Sequence, residues 1–123
     1  MSEAIVICEC FARDGLQHEE RVPDTEGKLH LLALFGEAGF RRIEATSYSH
    51  PRHVPAFADA SALLAGLSKA LGAAYKATCP NPRAVERAIA DLEAGHGADE
   101  LSFLISATES HNRRNLRSSR AEQ

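Results

Sequence analysis

The strongest constraint on the fold is a strand–helix unit that recurs about every 30 residues. Apolar runs typical of buried strands begin near residues 4, 41, 73 and 99, and segments with helical periodicity separate them. Strands that alternate with helices at this spacing pair in parallel through right-handed crossovers. The sequence therefore predicts an α/β fold with a parallel sheet, and no linker or second domain is visible in it.

Local patterns place the individual elements. Strands are predicted over 4–10, 40–45, 73–78 and 98–105, and the first of them has the continuous apolar character of a strand covered on both faces. Helices are predicted over 25–38, with Thr25 as the N-cap and Gly39 at the end, and over 56–71. A third helix begins with Asn81 as its N-cap and Pro82 at its first position. The apolar stripes expected to pack are Leu31, Leu34, Phe35 and Ala38 in the first helix, Leu63, Leu64, Leu67 and Leu71 in the second, and Val85, Ala88, Ile89 and Leu92 in the third.

Composition excludes several classes of protein. The chain has 123 residues, of which 44% are hydrophobic and 25% charged, as expected of one globular domain. A formal net charge of −3 with no basic stripe argues against nucleic-acid binding. No apolar run approaches the roughly 20 residues that span a bilayer, and the N-terminus lacks the pattern of a signal peptide. We therefore expect a cytoplasmic protein with neither a nucleic-acid nor a membrane partner.

Three cysteines do not suggest a disulfide framework. Cys8 and Cys10 are two residues apart on a predicted strand and so share one face. We interpret them as small, reduced core residues, because a metal or redox role usually employs C-x-x-C spacing.

Polar residues at the strand ends distinguish between the two common parallel architectures. In both an open doubly wound sheet and a closed (β/α)8 barrel, active-site residues lie at the carboxyl ends of the strands. The end of each predicted strand carries side chains of types common in functional sites: Arg13 and Asp14, then Glu44, Thr46 and Ser47, then Asn81, and finally Ser106, Glu109 and Asn112. This spread around a ring favours a barrel, and the chain has no G-x-G-x-x-G turn or P-loop. The predicted fold is thus a set of parallel (β/α) units that form the first half of a TIM (β/α)8 barrel.

Four segments carry a resemblance to a known family: RDGLQHE, EAGFRRIEATSYSHPRHVPAFADA, PN after the third strand, and ISATESHNRRN after the fourth. Together they resemble the N-terminal half of the 3-hydroxy-3-methylglutaryl-CoA lyase family, within a superfamily of metal-dependent TIM-barrel lyases and acyl-transferring synthases. The resemblance covers essentially the whole chain in unbroken order. It implies that residues 1–123 are the N-terminal half of a lyase-type barrel, which is an incomplete domain.

The resemblance also implies a reaction and a site. The reaction would be cleavage of an acyl-CoA similar to 3-hydroxy-3-methylglutaryl-CoA, which yields acetyl-CoA and a keto acid. Asp14 is implied as a ligand of Mg²⁺ or Mn²⁺, Arg13 as the cation that stabilises the enolate, and Glu44 as the group that positions them. Substrate contacts are implied for Gln17, Ser47 and Asn112. Without the resemblance, Arg13 and Asp14 could be a turn with a surface ion pair, and Asn112 could cap a loop.

The chain departs from the family pattern in three respects. CFA precedes the Arg-Asp pair where these lyases usually have Gly-Pro, and SYSHPR replaces Ser-Phe-Val-Ser-Pro-Lys. A (β/α)8 barrel needs about 250 residues, and none of the six histidines forms the His-x-His pair that supplies further metal ligands in the family. We expect the remaining ligands to lie outside this chain, and the isolated chain to be inactive.

Three functional hypotheses remain open from the sequence. The first is the lyase. The second is an aldolase or an acyl-CoA-dependent synthase of the same superfamily, and the third is a non-catalytic half-barrel. Unpaired outer strands would expose apolar interior residues, so an oligomer or a complementary half-barrel is the expected partner.

Overall fold

A computed structural model describes residues 4–122. Four strands form one parallel sheet, namely β1 (Cys8–Glu9), β2 (Arg42–Ser47), β3 (Ala74–Cys79) and β4 (Glu100–Phe103), in the spatial order β1-β2-β3-β4. A helix follows each strand, namely α1 (Thr25–Glu37), α2 (Ala60–Gly66), α3 (Pro82–Glu93) and α4 (Glu109–Leu116). Each strand lies beside the next one in the chain, with no reversal of strand order. This is the progression of a (β/α) barrel rather than of a doubly wound sheet, so the predicted fold class is confirmed.

The first strand is shorter and more exposed than the sequence predicted. Regular pairing is limited to Cys8 and Glu9, which lie opposite Arg42 and Ile43 of β2. In this register residues 4–7 lie opposite the turn that precedes β2, which offers them no ladder of hydrogen bonds. Consequently the side chains of Ile5, Val6 and Ile7 are exposed: Ile5 is 92% accessible. The prediction of a strand buried on both faces over 4–10 was wrong.

The N-cap of the first helix lies one residue earlier than predicted. Asp24, not Thr25, is its N-cap, and the Asp24 carboxylate accepts a hydrogen bond from the Gly27 N–H at 2.8 Å. Thr25 is the first helical residue, and its hydroxyl donates to the Asp59 carboxylate. Both residue types are good caps, and the backbone conformation at the boundary decides between them.

The second helix is split. A short 3₁₀ turn, Pro55–Phe57, precedes α2, and α2 ends at Gly66 because Leu67 adopts extended backbone. Leu63 and Leu64 are buried as predicted, but Leu71 lies beyond the helix and is fully exposed. The predicted helix over 56–71 was therefore too long at both ends.

The core lies between the sheet and the helices that follow β1, β2 and β3. One cluster joins Leu32 of α1 and Leu63 of α2 to Ile43, Ala45 and Tyr75 of the sheet. Burial at this level contributes about 1.5–3 kcal/mol for each large apolar side chain. The helices therefore cover one face of the sheet. The other face and the carboxyl ends of the strands are not covered by this cluster.

The third helix has the predicted cap, and two residues of its predicted stripe, Val85 and Ala88, do pack against the core. The Asn81 side chain accepts from the Ala84 N–H, as expected. Ala84, Ala88 and Asp91 are buried, whereas Ile89 and Leu92 of the predicted stripe are 46% and 62% exposed. Small alanines allow close approach to the sheet, and Asp91 accepts a 2.6 Å hydrogen bond from the Tyr48 hydroxyl. These contacts rotate the helix away from the orientation that its apolar pattern predicted.

The outer strands of the sheet are open edges. Within residues 4–122, β1 pairs only with β2 and β4 pairs only with β3. Regular β4 covers Glu100–Phe103 rather than 98–105, and Phe103 and Ile105 are 68% and 64% exposed. In the same part of the chain, each helix is too short or too polar to cross a lipid bilayer.

Candidate active site

The segment after β1 folds into one tight helical turn that presents Arg13 and Asp14. Phe11–Gly15 is a single π-helical turn, and the Cys10 carbonyl accepts hydrogen bonds from the N–H of Arg13 at 3.1 Å and of Asp14 at 2.8 Å. A Cβ atom at Gly15 would lie 2.3 Å from the Phe11 ring, so a larger residue there would require the half-exposed Phe11 side chain to move. The glycine of RDGLQ therefore allows the Phe11 ring to lie over the turn.

Glu44 of β2 anchors the arginine. Its side chain is almost fully buried, and its Oε1 atom accepts from Arg13 Nε at 3.0 Å and from the Thr78 hydroxyl of β3. Gln17 adds a second contact, because its Oε1 accepts from Arg13 Nη1 at 3.3 Å. The Arg13 side chain is 18% exposed. The guanidinium is thus held at the carboxyl ends of three strands with one edge left open.

The charge on Glu44 is stabilised by its surroundings. Burial opposes ionisation, but the Thr78 hydrogen bond and the positive charge of Arg13 outweigh it and lower the pKa of the Glu44 carboxyl below its ordinary value of 4.5. Arg13 and Glu44 therefore form an ion pair at neutral pH. Burial together with the neighbouring Cys8 thiol and the Glu44 carboxylate raises the pKa of the Cys10 thiol to about 12.

A pH dependence follows from the lowered pKa of Glu44. A carboxyl whose pKa is lower in the folded state stabilises the fold above its unfolded pKa, and this contribution is lost as the pH falls through the folded pKa. We expect wild-type protein to lose free energy of unfolding below about pH 4.5 faster than Glu44→Gln does. Chemical unfolding of both proteins between about pH 3 and pH 7 measures this, and parallel curves would contradict it.

Asp14 lies on the solvent side of the buried Arg13–Glu44 pair. Its side chain is 67% exposed, and its Oδ1 lies 3.4 Å from Arg13 Nη1. A hard cation such as Mg²⁺ requires about six oxygen ligands. Nowhere in residues 4–122 do three or more His, Cys, Asp or Glu side chains converge in a way that could hold a metal ion. Asp14 is thus an available carboxylate, but the described donors do not complete a metal site.

Ser47 and Asn112 are placed differently. Both are buried; the Ser47 hydroxyl bonds to Ser49 Oγ at 2.8 Å and to the Thr78 carbonyl at 3.3 Å. The Asn112 amide accepts from the Ser106 N–H and donates to the Ser118 carbonyl, so it fastens the loops on either side of α4. Neither side chain is hydrogen-bonded to Arg13, Asp14 or Glu44.

Sequence reasoning missed one member of the cluster and undervalued another. Thr78, at the carboxyl end of β3, donates to Glu44. Thr46 was noticed only as a polar strand end, yet its hydroxyl is the buried side-chain polar atom in residues 4–122 that lacks a hydrogen-bond partner. Both residues lie at the carboxyl ends of parallel strands, where polar side chains meet. That position in the sequence is the signal that could have identified them.

Fold and site together define part of a (β/α) barrel with an Arg–Glu pair and an exposed aspartate at the carboxyl ends of its strands. Comparison with known proteins agrees. The chain is 37% identical over 118 residues to hydroxymethylglutaryl-CoA lyase YngG of Bacillus subtilis, covering 96% of this chain and 38% of that protein. It is 37% identical to the mitochondrial hydroxymethylglutaryl-CoA lyase of Rattus norvegicus, over 94% of this chain and 34% of the relative. No family model matches the chain.

Solved structures give the same result. The HMG-CoA lyase of Brucella melitensis superimposes with a TM-score of 0.87 at 38% identity, covering 98% of this chain and 41% of that one. The HMG-CoA lyase of Acinetobacter baumannii, in complex with coenzyme A and 3-methylmalate, gives 0.86 at 32% identity, covering 94% and 36%. The chain is thus a homologue of these lyases that spans little more than a third of their length, consistent with their N-terminal part. The resemblance predicted from RDGLQ and IEATS is confirmed.

Proposed function

We propose that this chain supplies part of the active site of a metal-dependent carbon–carbon lyase. The substrate class is an acyl-CoA similar to 3-hydroxy-3-methylglutaryl-CoA, and the products are acetyl-CoA and a keto acid. The observation that carries the proposal is the cluster of Arg13, Asp14 and Glu44 at the carboxyl ends of the strands. Its occurrence in a chain similar to hydroxymethylglutaryl-CoA lyases supports this chemistry over other reactions of such a barrel.

Arg13 has the properties that the bond-breaking step requires. Cleavage next to a thioester leaves negative charge on the carbonyl oxygen of an enolate, which a fixed cation stabilises. A guanidinium remains charged at any working pH. The buried Glu44 carboxylate and the Gln17 amide hold it in place before the reaction begins. We assign Arg13 as the catalytic cation and Glu44 as the residue that orients it.

Asp14 is the proposed metal ligand. Its carboxylate is exposed beside Arg13 and is the donor type that Mg²⁺ and Mn²⁺ prefer. Because residues 4–122 contribute no further cluster of donors, the other ligands would have to come from outside this chain. We propose accordingly that residues 1–123 are the N-terminal half of a barrel domain completed by another segment or chain.

Asp14→Asn should weaken binding of Mg²⁺ or Mn²⁺ to the complete protein by more than about 10-fold, since even groups that only support metal ligands contribute 10–100-fold to affinity. Isothermal titration of the metal-free complete protein measures the change. Glu20→Gln is a matched control, because Glu20 is a nearby exposed carboxylate outside the cluster. Equal affinities of wild type and Asp14→Asn would exclude Asp14 as a ligand and favour a non-catalytic half-barrel.

The same proposal assigns the residues that contact the substrate. We assign substrate contacts to Gln17, Ser47 and Asn112 by the same resemblance. The coenzyme A bound to the Acinetobacter baumannii lyase supports an acyl-CoA as the substrate class. The side chains of Ser47 and Asn112 already make hydrogen bonds within the fold. In this role, the substrate would have to contact these same polar groups. We further propose a cytoplasmic location, as in the name of a Danio rerio relative, although the rat relative is named mitochondrial.

An assay of both reaction directions tests the proposal. The complete protein, isolated from its source cells with any partner chain, should cleave 3-hydroxy-3-methylglutaryl-CoA or a close analogue and release acetyl-CoA in the presence of Mg²⁺ or Mn²⁺. Condensation of acetyl-CoA with a keto acid, without measurable cleavage, would point instead to a synthase of the same superfamily.

A further inference from the structure

Two thiols lie in contact directly before the Arg13 turn. Cys8 Sγ and Cys10 Sγ are 3.7 Å apart, and the Cys10 thiol also lies 3.6 Å from the Cys8 carbonyl oxygen. Both side chains are half-buried free thiols rather than the core residues that the sequence predicted. The third cysteine, Cys79, is fully buried in a separate core cluster. Cys8 and Cys10 are therefore a dithiol in which each sulfur is the other's nearest available reaction partner.

The backbone of Cys10 supports the catalytic turn. Its carbonyl oxygen accepts hydrogen bonds from the N–H of Arg13 at 3.1 Å and from the N–H of Asp14 at 2.8 Å. These two hydrogen bonds fix the start of the turn Phe11–Gly15. Any movement of the Cys10 backbone must therefore be transmitted to Arg13 and Asp14.

We propose that Cys8 and Cys10 form a reversible disulfide that displaces the Arg13–Asp14 turn. Residues two apart on a strand have Cα atoms about 6.6 Å apart, near the upper limit for a disulfide, whose usual Cα separation is about 5.5–6 Å. Forming the S–S bond therefore draws the Cys10 backbone towards Cys8. That movement pulls the Cys10 carbonyl away from the N–H groups of Arg13 and Asp14, from which it accepts hydrogen bonds.

The oxidant is a small-molecule disulfide such as oxidised glutathione. The thiolate of Cys8 attacks one sulfur of that disulfide, which breaks its S–S bond and releases one glutathione thiolate. The Cys10 thiol then gives its proton to the released glutathione thiolate, attacks the Cys8 sulfur of the mixed disulfide and releases the second glutathione thiolate. The two protons of the protein thiols pass to the two glutathione molecules. Protein sulfur is oxidised and glutathione reduced, with no other reactant.

The first part of the test is mass spectrometry of the complete protein in its native assembly. The protein is equilibrated with reduced and oxidised glutathione, quenched with acid, alkylated and digested with trypsin. The tryptic peptide that ends at Arg13 contains both Cys8 and Cys10, whereas Cys79 lies in the peptide that follows Lys76. Under oxidising conditions we expect the first peptide to be two hydrogens lighter and free of alkyl groups, and dithiothreitol should reverse this. Two alkyl groups, or a single glutathione adduct, at every ratio would overturn the proposal.

The second part measures the coupling to the turn and does not depend on any enzymatic activity. Amide hydrogen exchange at Arg13 and Asp14 should be at least tenfold faster in the oxidised than in the reduced protein. Cys79→Ala should show the same acceleration, and Cys8→Ser should show none under identical oxidation. A disulfide with unchanged exchange at these two amides would overturn the coupling. Failure of the lyase assay would leave both readouts intact, so the two proposals fail separately.

Discussion

Arg13→Met is expected to reduce turnover of the complete protein by about a thousandfold, the effect typical of removing one preorganised group that stabilises an oxyanion. Methionine preserves much of the side-chain length but removes the charge and both hydrogen bonds, to Glu44 and Gln17. Because Asp14 remains, metal affinity should stay within a few-fold of wild type. Steady-state kinetics of acyl-CoA cleavage and metal titration of the same preparation measure the two effects.

Arg21→Met is the matched control for this experiment. Arg21 is exposed and outside the cluster, so the same change of side chain there should leave turnover unchanged. Circular dichroism of both variants checks that they are folded. An Arg13→Met protein with wild-type turnover would remove Arg13 from the reaction, whatever its role in the fold.

Glu44→Gln is expected to lower the free energy of unfolding by about 3 kcal/mol, the lower end of the cost of removing one partner from a buried ion pair. The Glu44 carboxylate is almost fully buried, and the amide that replaces it cannot balance the Arg13 charge. The lower end applies because Arg13 retains some contact with solvent. Equilibrium unfolding in urea, monitored by circular dichroism, gives the difference.

The Arg42–Glu100 pair offers the control, because it also links two strands, β2 and β4, but is far more exposed than Glu44. Glu100→Gln should cost less than about 1 kcal/mol, as exposed ion pairs do. Similar losses for Glu44→Gln and Glu100→Gln would mean that the pair at the site contributes no more to stability than a surface contact. Activity of Glu44→Gln should also fall, since Arg13 loses the group that orients it.

Much of the site could be predicted because strand ends were visible in the sequence. Arg13 and Glu44 are 31 residues apart, yet each follows or ends an apolar run, and parallel strands bring such positions to one edge. The structure shows the two side chains in contact. Their catalytic and positioning roles, and the metal ligation by Asp14, remain predictions, since they rest on the resemblance and await the variants above.

Packing faces were predicted less well than element order. The pattern of Ile89 and Leu92 is amphipathic in isolation, but the buried face of α3 includes Asp91 because Tyr48 supplies its hydrogen bond. A buried carboxylate looks unfavourable in a sequence until its partner is known. Likewise, Leu71 was assigned to a buried face from helical periodicity and Ile5 from a continuous apolar run, although both are exposed.

The sequence by itself determined the parallel α/β order and the family resemblance, because these depend on periodicity and on residues close together in the chain. Only the tertiary structure decided that Thr78 and Arg13 share the Glu44 carboxylate, and that Tyr48 donates to the buried Asp91. These contacts depend on strand register, bulges and rotamers, which are set by the packing of segments distant in the chain.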